Sequence, residues 1–120
     1  MDQSFQKTML FDFYGDLLTE RQKEFYDLYY NEDLSLAEIA ENANITRQGV
    51  RDVIVRADAI LTEMEEKTGI IARFLEVQHG LQEVSALAGQ IADLNDTSIG
   101  SQPLADLIGS LQSKVEALKE

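Results

Sequence analysis

The 120-residue chain predicts an all-α protein, on three observations. Apolar residues recur at steps of three and four through most of its length, the spacing that lines them up on one face of a 3.6-residue helix. Thr19-Glu20-Arg21-Gln22 and Ser35-Leu36-Ala37-Glu38 both have capping-box spacing, a hydroxyl residue followed three positions on by Gln or Glu, which opens short and sharply bounded helices. No segment alternates apolar and polar residues as a half-buried strand does, and a single Pro leaves long stretches uninterrupted.

Taken in order, Ser4 is expected to cap a first helix whose Phe5, Met9, Phe13 and Leu17 recur every four residues. Thr19 then opens a second helix from about Glu20 to Tyr30, burying Phe25, Leu28 and Tyr29, before the polar turn Asn31-Glu32-Asp33. Ser35 opens a third that ends near Asn42. A fourth starts at Thr46 and carries Val50, Val53, Ile54, Ala57, Leu61 and Met64 along one stripe to Thr68-Gly69, where Gly can end it. Ile70, Phe74, Val77, Leu81, Val84, Ala88, Ile91 and Leu94 mark a fifth helix of roughly 38 Å, longer than a small head needs to cover itself. Asn95 to Gln102 reads as a loop. Pro103 stands at the first position of a last helix, with Leu104, Leu107, Leu111, Val115 and Leu118 on one side.

Within this series Ser35 to Arg56 has the register of a helix-turn-helix. Ile39 and Ala40 face inward where two helices cross, and Ala40 is small enough to let them approach. Asn44 takes the turn position, where the backbone goes left-handed and Gly or Asn is favoured. Ile45 plugs the core, Thr46 caps the second helix, and Val50, Val53 and Ile54 return its apolar face inward. Residues 1–67 are therefore expected to form a helix-turn-helix head. Residues 68–120 are expected to form a helical tail, a hairpin whose apolar seam either folds onto the head or meets a second copy; a homodimer is the expectation.

Charge argues in two directions. The chain carries 10 basic and 22 acidic residues, a net charge of −12, which a nucleic-acid duplex repels overall. Yet Arg47, Arg51 and Arg56 meet only Asp52 between Asn44 and Ala57, so the one basic spot lies on the second helix of the motif. Thr46, Arg47, Gln48, Arg51 and Arg56 are the candidate nucleic-acid-binding residues, with Arg47, Gln48 and Arg51 near the helix start, where side chains reach base edges or phosphates. The competing reading is a protein-interaction module whose acidic helices dock on a basic partner.

No other chemistry is expected. There is no Cys, and His79, the only histidine, has no catalytic or ligand partner at useful spacing. Asp93-Leu94-Asn95-Asp96-Thr97 fails as a calcium loop because its Gly is displaced to Gly100 and Leu104 stands where the bidentate Glu belongs. Glu63, Glu65 and Glu66 read as a solvated face. No cofactor and no enzymatic activity are expected. No run approaches about 18 apolar residues, so no membrane span is expected. The opening MDQSFQKTML lacks the flank and core of a signal peptide, which makes a cytoplasmic location the default.

From Leu10 to about Gly69 the chain resembles the YlxM family of small bacterial helix-turn-helix proteins, themselves similar to region 4 of primary sigma factors. The carrying residues are Leu10-Phe11-Asp12-Phe13-Tyr14, Leu17-Leu18-Thr19-Glu20-Arg21-Gln22 and Leu28-Tyr29-Tyr30-Asn31-Glu32-Asp33. They continue through Ser35-Leu36-Ala37-Glu38-Ile39-Ala40, Thr46-Arg47-Gln48-Gly49-Val50, Asp52 and Glu65-Glu66-Lys67-Thr68-Gly69. The resemblance implies a regulatory role in the signal recognition particle pathway, with DNA or the particle's RNA as target and the particle's protein subunit as a further partner. Gly49-Val50-Arg51-Asp52-Val53 departs from the family's small residue followed by Val-Tyr-Asp-Asn, and the family's paired basic residues shrink to Arg56.

Overall fold

Capping chemistry bounds most of the helices of the head. Thr19 and Ser35 each accept a hydrogen bond from the backbone of the third helical residue, Gln22 or Glu38, whose side chain reaches back to the cap N–H. The computed structural model describes residues 3–119, and among these it has six α-helices and no strand. They are α1 (Gln3–Tyr14), α2 (Glu20–Tyr30), α3 (Leu36–Ala43), α4 (Arg47–Thr68), α5 (Ile70–Leu94) and α6 (Gln102–Leu118). The chain divides into two compact units between Ile71 and Ala72.

In the first unit α1, α2 and α3 all pack on α4. Phe25, Ile39, Ala40, Val50 and Ile54 form one buried cluster, with Leu28, Tyr29, Ile45 and Val53 packed around it. Burial of each of the larger ones contributes roughly 1.5–3 kcal/mol. Leu61 and Tyr26 are also fully buried; Tyr26 had no place in the expected core of α2.

The face of α1 differs from the expected one. Phe5, Phe13 and Leu17 are 44, 38 and 52% exposed, while Tyr14 and Leu18 are buried. This segment is apolar on several sides, so spacing alone does not select a face; its neighbours do. Phe11 stacks on Tyr26 with centroids 5.6 Å apart, Lys7 Nζ lies 2.7 Å from Asp58 of α4, and the Tyr26 hydroxyl donates to the Lys7 carbonyl at 3.1 Å. Ser4 stands inside α1 rather than capping it, because the helix already runs from Gln3. A 3₁₀ turn, Gly15–Leu17, leads from α1 toward α2.

Glu65 is not part of a solvated face. Its carboxylate accepts the Tyr14 hydroxyl at 2.6 Å and the Ile71 N–H at 2.9 Å, just where Gly69 ends α4 with φ +65°. Tyr14 also lies 2.7 Å from the Thr68 hydroxyl. Loss of water around its ring, and the Glu65 carboxylate beside it, push the Tyr14 phenol above its ordinary pKa.

The second unit contains most of α5, a π-helical turn (Asn95–Ile99) and α6. Asn95 is buried and holds the turn shut: its side-chain amide donates to the Ser101 carbonyl at 2.9 Å and accepts the Ser101 N–H at 2.8 Å. Gly100, at φ +65°, supplies the left-handed residue. Ser101 caps α6, which places Pro103 second in the helix rather than first. Ala88, Ile108 and Val115 are buried, whereas Leu107, Leu111 and Leu118 of the expected α6 stripe are exposed.

Candidate nucleic-acid interface

The motif closes as its residue types require. Asn44 adopts φ 59°, ψ 44°, and its N–H bonds back to the last turn of α3. The next N–H, of Ile45, reaches the Ala40 carbonyl at 3.1 Å. Ile39 and Ala40 are 1 and 5% exposed, as a close helix crossing demands. Thr46 Oγ1 then accepts the Gly49 N–H at 3.0 Å, satisfying a donor that the first turn of α4 leaves open. A Cβ at Gly49 would stand 3.2 Å from that same oxygen, so this position keeps the cap uncrowded.

With Val50 and Ile54 fixed in the core, Arg47, Gln48 and Arg51 are forced outward. Together with Leu36 from the start of α3 they line an open recess of about 440 Å³. Gln48 donates from its side-chain nitrogen to Asp52 at 2.9 Å, which leaves its amide oxygen as an acceptor. Neither Arg47 nor Arg51 has a hydrogen-bond or ion-pair partner among the described residues, so both charges stay available to an anion.

The structure thus brings together three of the five residues picked from the sequence. Thr46 is adjacent, with its hydroxyl committed to the cap. Arg56 is exposed but lies outside the recess. At about 100° per residue, nine positions past Arg47 point it from roughly the opposite side of the helix. Leu36 was not anticipated, since its side chain joins the recess only through the α3–α4 crossing. The Gln48–Asp52 bond did have a local signal, the i, i+4 spacing of an amide and a carboxylate.

The helix that contributes Leu36 to the recess is acidic. Helix α3 has no basic residue, and Glu38 and Glu41 are exposed on it. Hydrogen bonding to the Ser35 backbone holds the Glu38 carboxyl below its ordinary pKa. Elsewhere, His79 is largely exposed, 3.2 Å from Glu83, and Glu63 pairs with Lys67 at 2.9 Å. Among the described residues no group of three or more acidic or histidine side chains could hold a metal ion. No helix among them is long and apolar enough to cross a membrane.

Comparison with known proteins places this geometry. Residues 1–103 match the profile of the UPF0122 family, described as "Putative helix-turn-helix protein, YlxM / p13 like". The chain belongs to the UPF0122 family. A UPF0122 protein of Acetivibrio thermocellus is 40% identical over 122 residues, spanning 100% of this chain and 99% of its own. One from Halalkalibacterium halodurans is 38% identical over 113 residues, covering 94 and 97% of the two chains. A third, from Desulforamulus reducens, reaches 54% identity over 76 residues, 63% of this chain and 65% of that one. The family description names a helix-turn-helix, which accords with the α3–turn–α4 geometry described above.

Proposed function

We propose that this UPF0122 protein is a non-enzymatic, cytoplasmic regulator that binds a nucleic-acid duplex with the first two turns of α4. The observation that carries the reading is the pair of exposed, unpartnered guanidinium groups of Arg47 and Arg51 on either side of Gln48. Guanidinium forks suit phosphate oxygens and the acceptor edge of guanine, and a helix start is where such motifs reach a major groove. With its side-chain nitrogen bonded to Asp52, Gln48 has an oxygen that suits an exocyclic amine of adenine or cytosine. The resemblance to YlxM proteins makes DNA, or RNA of the signal recognition particle, the target classes to try.

Titrating the full chain against duplex DNA and against that RNA, at several salt concentrations, tests the reading. The variants Arg47→Ala and Arg51→Ala should weaken binding at unchanged melting temperature, each flattening the salt slope by about one unit. A double variant with unaltered affinity and slope would overturn the assignment of α4.

A second reading rests on the net charge of −12. Residues 20–44 include seven acidic side chains against Arg21 and Lys23, a surface that suits a basic protein such as the signal recognition particle's protein subunit. Capture from lysate with and without nuclease separates the two: a contact that survives nuclease is with protein.

A further inference from the structure

One carboxylate sits where a phosphate-binding helix has no use for negative charge. Asp52 is exposed, is the only acidic residue between Asn44 and Ala57, and lies one turn along α4 from Gln48. There it opposes the attraction of Arg47 and Arg51 for phosphate. A cation is within its reach by spacing, since Arg56 follows four residues later, the order in which an acid and a base pair best along a helix. That pair is not made. Among the described residues Asp52 forms no ion pair, and its Oδ1 accepts the Gln48 side-chain nitrogen at 2.9 Å instead. Its contact is thus with the one uncharged polar side chain that lines the α4 recess.

The chemistry of that contact has a direction. An amide ends in a donor on one side and an acceptor on the other, and an unrestrained Gln can turn over to offer either. A carboxylate only accepts. Turning Gln48 over would set its oxygen against the Asp52 oxygens, so the nitrogen stays at Asp52 and the oxygen is the end left for another group. The amide hydrogen that remains belongs to the end held at Asp52. In the major groove of DNA, adenine and cytosine present an exocyclic amine where thymine and guanine present a carbonyl oxygen. An amide held oxygen-first accepts from the first two bases and is repelled by the second two.

We infer that Asp52 is a positioning residue for sequence choice: by holding the Gln48 amide, it makes α4 favour adenine or cytosine over guanine or thymine at one position of a DNA duplex. The inference rests on the α4 reading proposed above and narrows it to DNA, because the major groove of an RNA duplex is too narrow for side chains to read. Asp52 therefore weakens overall attraction to the duplex while sharpening which sequence is bound.

Selection by the full chain from a DNA duplex library with randomised positions tests this. The unaltered chain should show a position where adenine and cytosine are favoured over guanine and thymine by about fivefold or more. Gln48→Ala should flatten that position, which identifies it. Asp52→Ala and the isosteric Asp52→Asn should reduce the preference there to within about twofold, yet bind DNA at least as tightly, because a negative charge has gone. Asp52→Glu, still an acceptor only, should retain the preference. A variant that merely failed to fold would lose affinity for every sequence, the opposite of this outcome. A full chain with no such position, or Asp52→Ala and Asp52→Asn variants that keep the preference abolished by Gln48→Ala, would overturn the inference and leave α4 a duplex-binding helix. A full chain that selects no DNA overturns it as well, and the α4 reading falls too unless Arg47→Ala and Arg51→Ala weaken binding to RNA.

Discussion

At Asn44 the turn of the motif depends on one backbone conformation, φ 59° and ψ 44°, with its N–H tied to the carbonyls of Ala40 and Glu41. Asparagine tolerates this region because its short polar side chain avoids the clash of a branched Cβ. Asn44→Gly should therefore leave stability nearly unchanged, while Asn44→Val should cost about 1–2 kcal/mol in urea denaturation, with matching loss of nucleic-acid binding only where the fold is lost. Gly49 works at the same scale but for another reason. Its role is the space beside the Thr46 hydroxyl, since a helical residue needs no left-handed freedom.

Among the elements, α1 depends most on tertiary context. It is secured to α2 and α4 by Lys7, which pairs with Asp58 at 2.7 Å, lies 5.7 Å from the centre of the Tyr30 ring, and lends its carbonyl to Tyr26. The two charges are only 15 and 26% exposed, so Lys7→Ala leaves the Asp58 carboxylate without its cation in a partly dry place. A loss of about 1–3 kcal/mol is expected, and Asp58→Asn in the same background should recover part of it; thermal melts of the single and double variants check both. This dependence also explains what could be read beforehand. Helices α2, α3 and α4 were legible to within a residue or so, because their boundaries are written in local chemistry: Thr19 with Gln22, Ser35 with Glu38, Asn44, Thr46 and Gly69. The packed face of α1 was not, because Phe11, Tyr14 and Lys7 are chosen by residues 15 to 51 positions away. At the candidate site, Arg47, Gln48 and Arg51 followed from helical phase, whereas Leu36 and the exclusion of Arg56 needed the crossing of two helices. In the tail, spacing revealed the apolar residues but not which of them are covered: Ala88, Ile108 and Val115 are buried, while Leu107, Leu111 and Leu118 are not.

Over the whole molecule the tyrosines set how the fold responds to alkali. Burial raises Tyr14, Tyr26 and Tyr30, and the nearby Asp58 carboxylate adds to the effect at Tyr26 and Tyr30. An unfolded chain gives up these protons near the ordinary value of 10.0, while the folded chain keeps them. The unfolded state then binds fewer protons, so stability falls as pH rises past that value and is unaffected below it. Melting temperatures measured upward from pH 9 should decline, and more shallowly in Tyr26→Phe, which removes the largest of the three contributions. The net charge of −12 works on a different axis. Added salt relieves self-repulsion of the folded chain while weakening any contact of Arg47 and Arg51 with phosphate, so stability and nucleic-acid binding should respond to salt with opposite sign.

The carboxylate of Glu65 has a practical consequence for the modularity of the chain. It is shared by Tyr14 of α1 and by the Ile71 N–H, so the first unit reaches its full set of hydrogen bonds only after the chain has already entered α5. Exchanging tails between UPF0122 relatives therefore has a natural splice point after Ile71, inside a continuous helix, and not at the glycine where α4 ends. A chimera joined at Gly69 would import a foreign residue at position 71, where the Ile71 side chain is buried and where a proline would also remove the backbone N–H that Glu65 accepts.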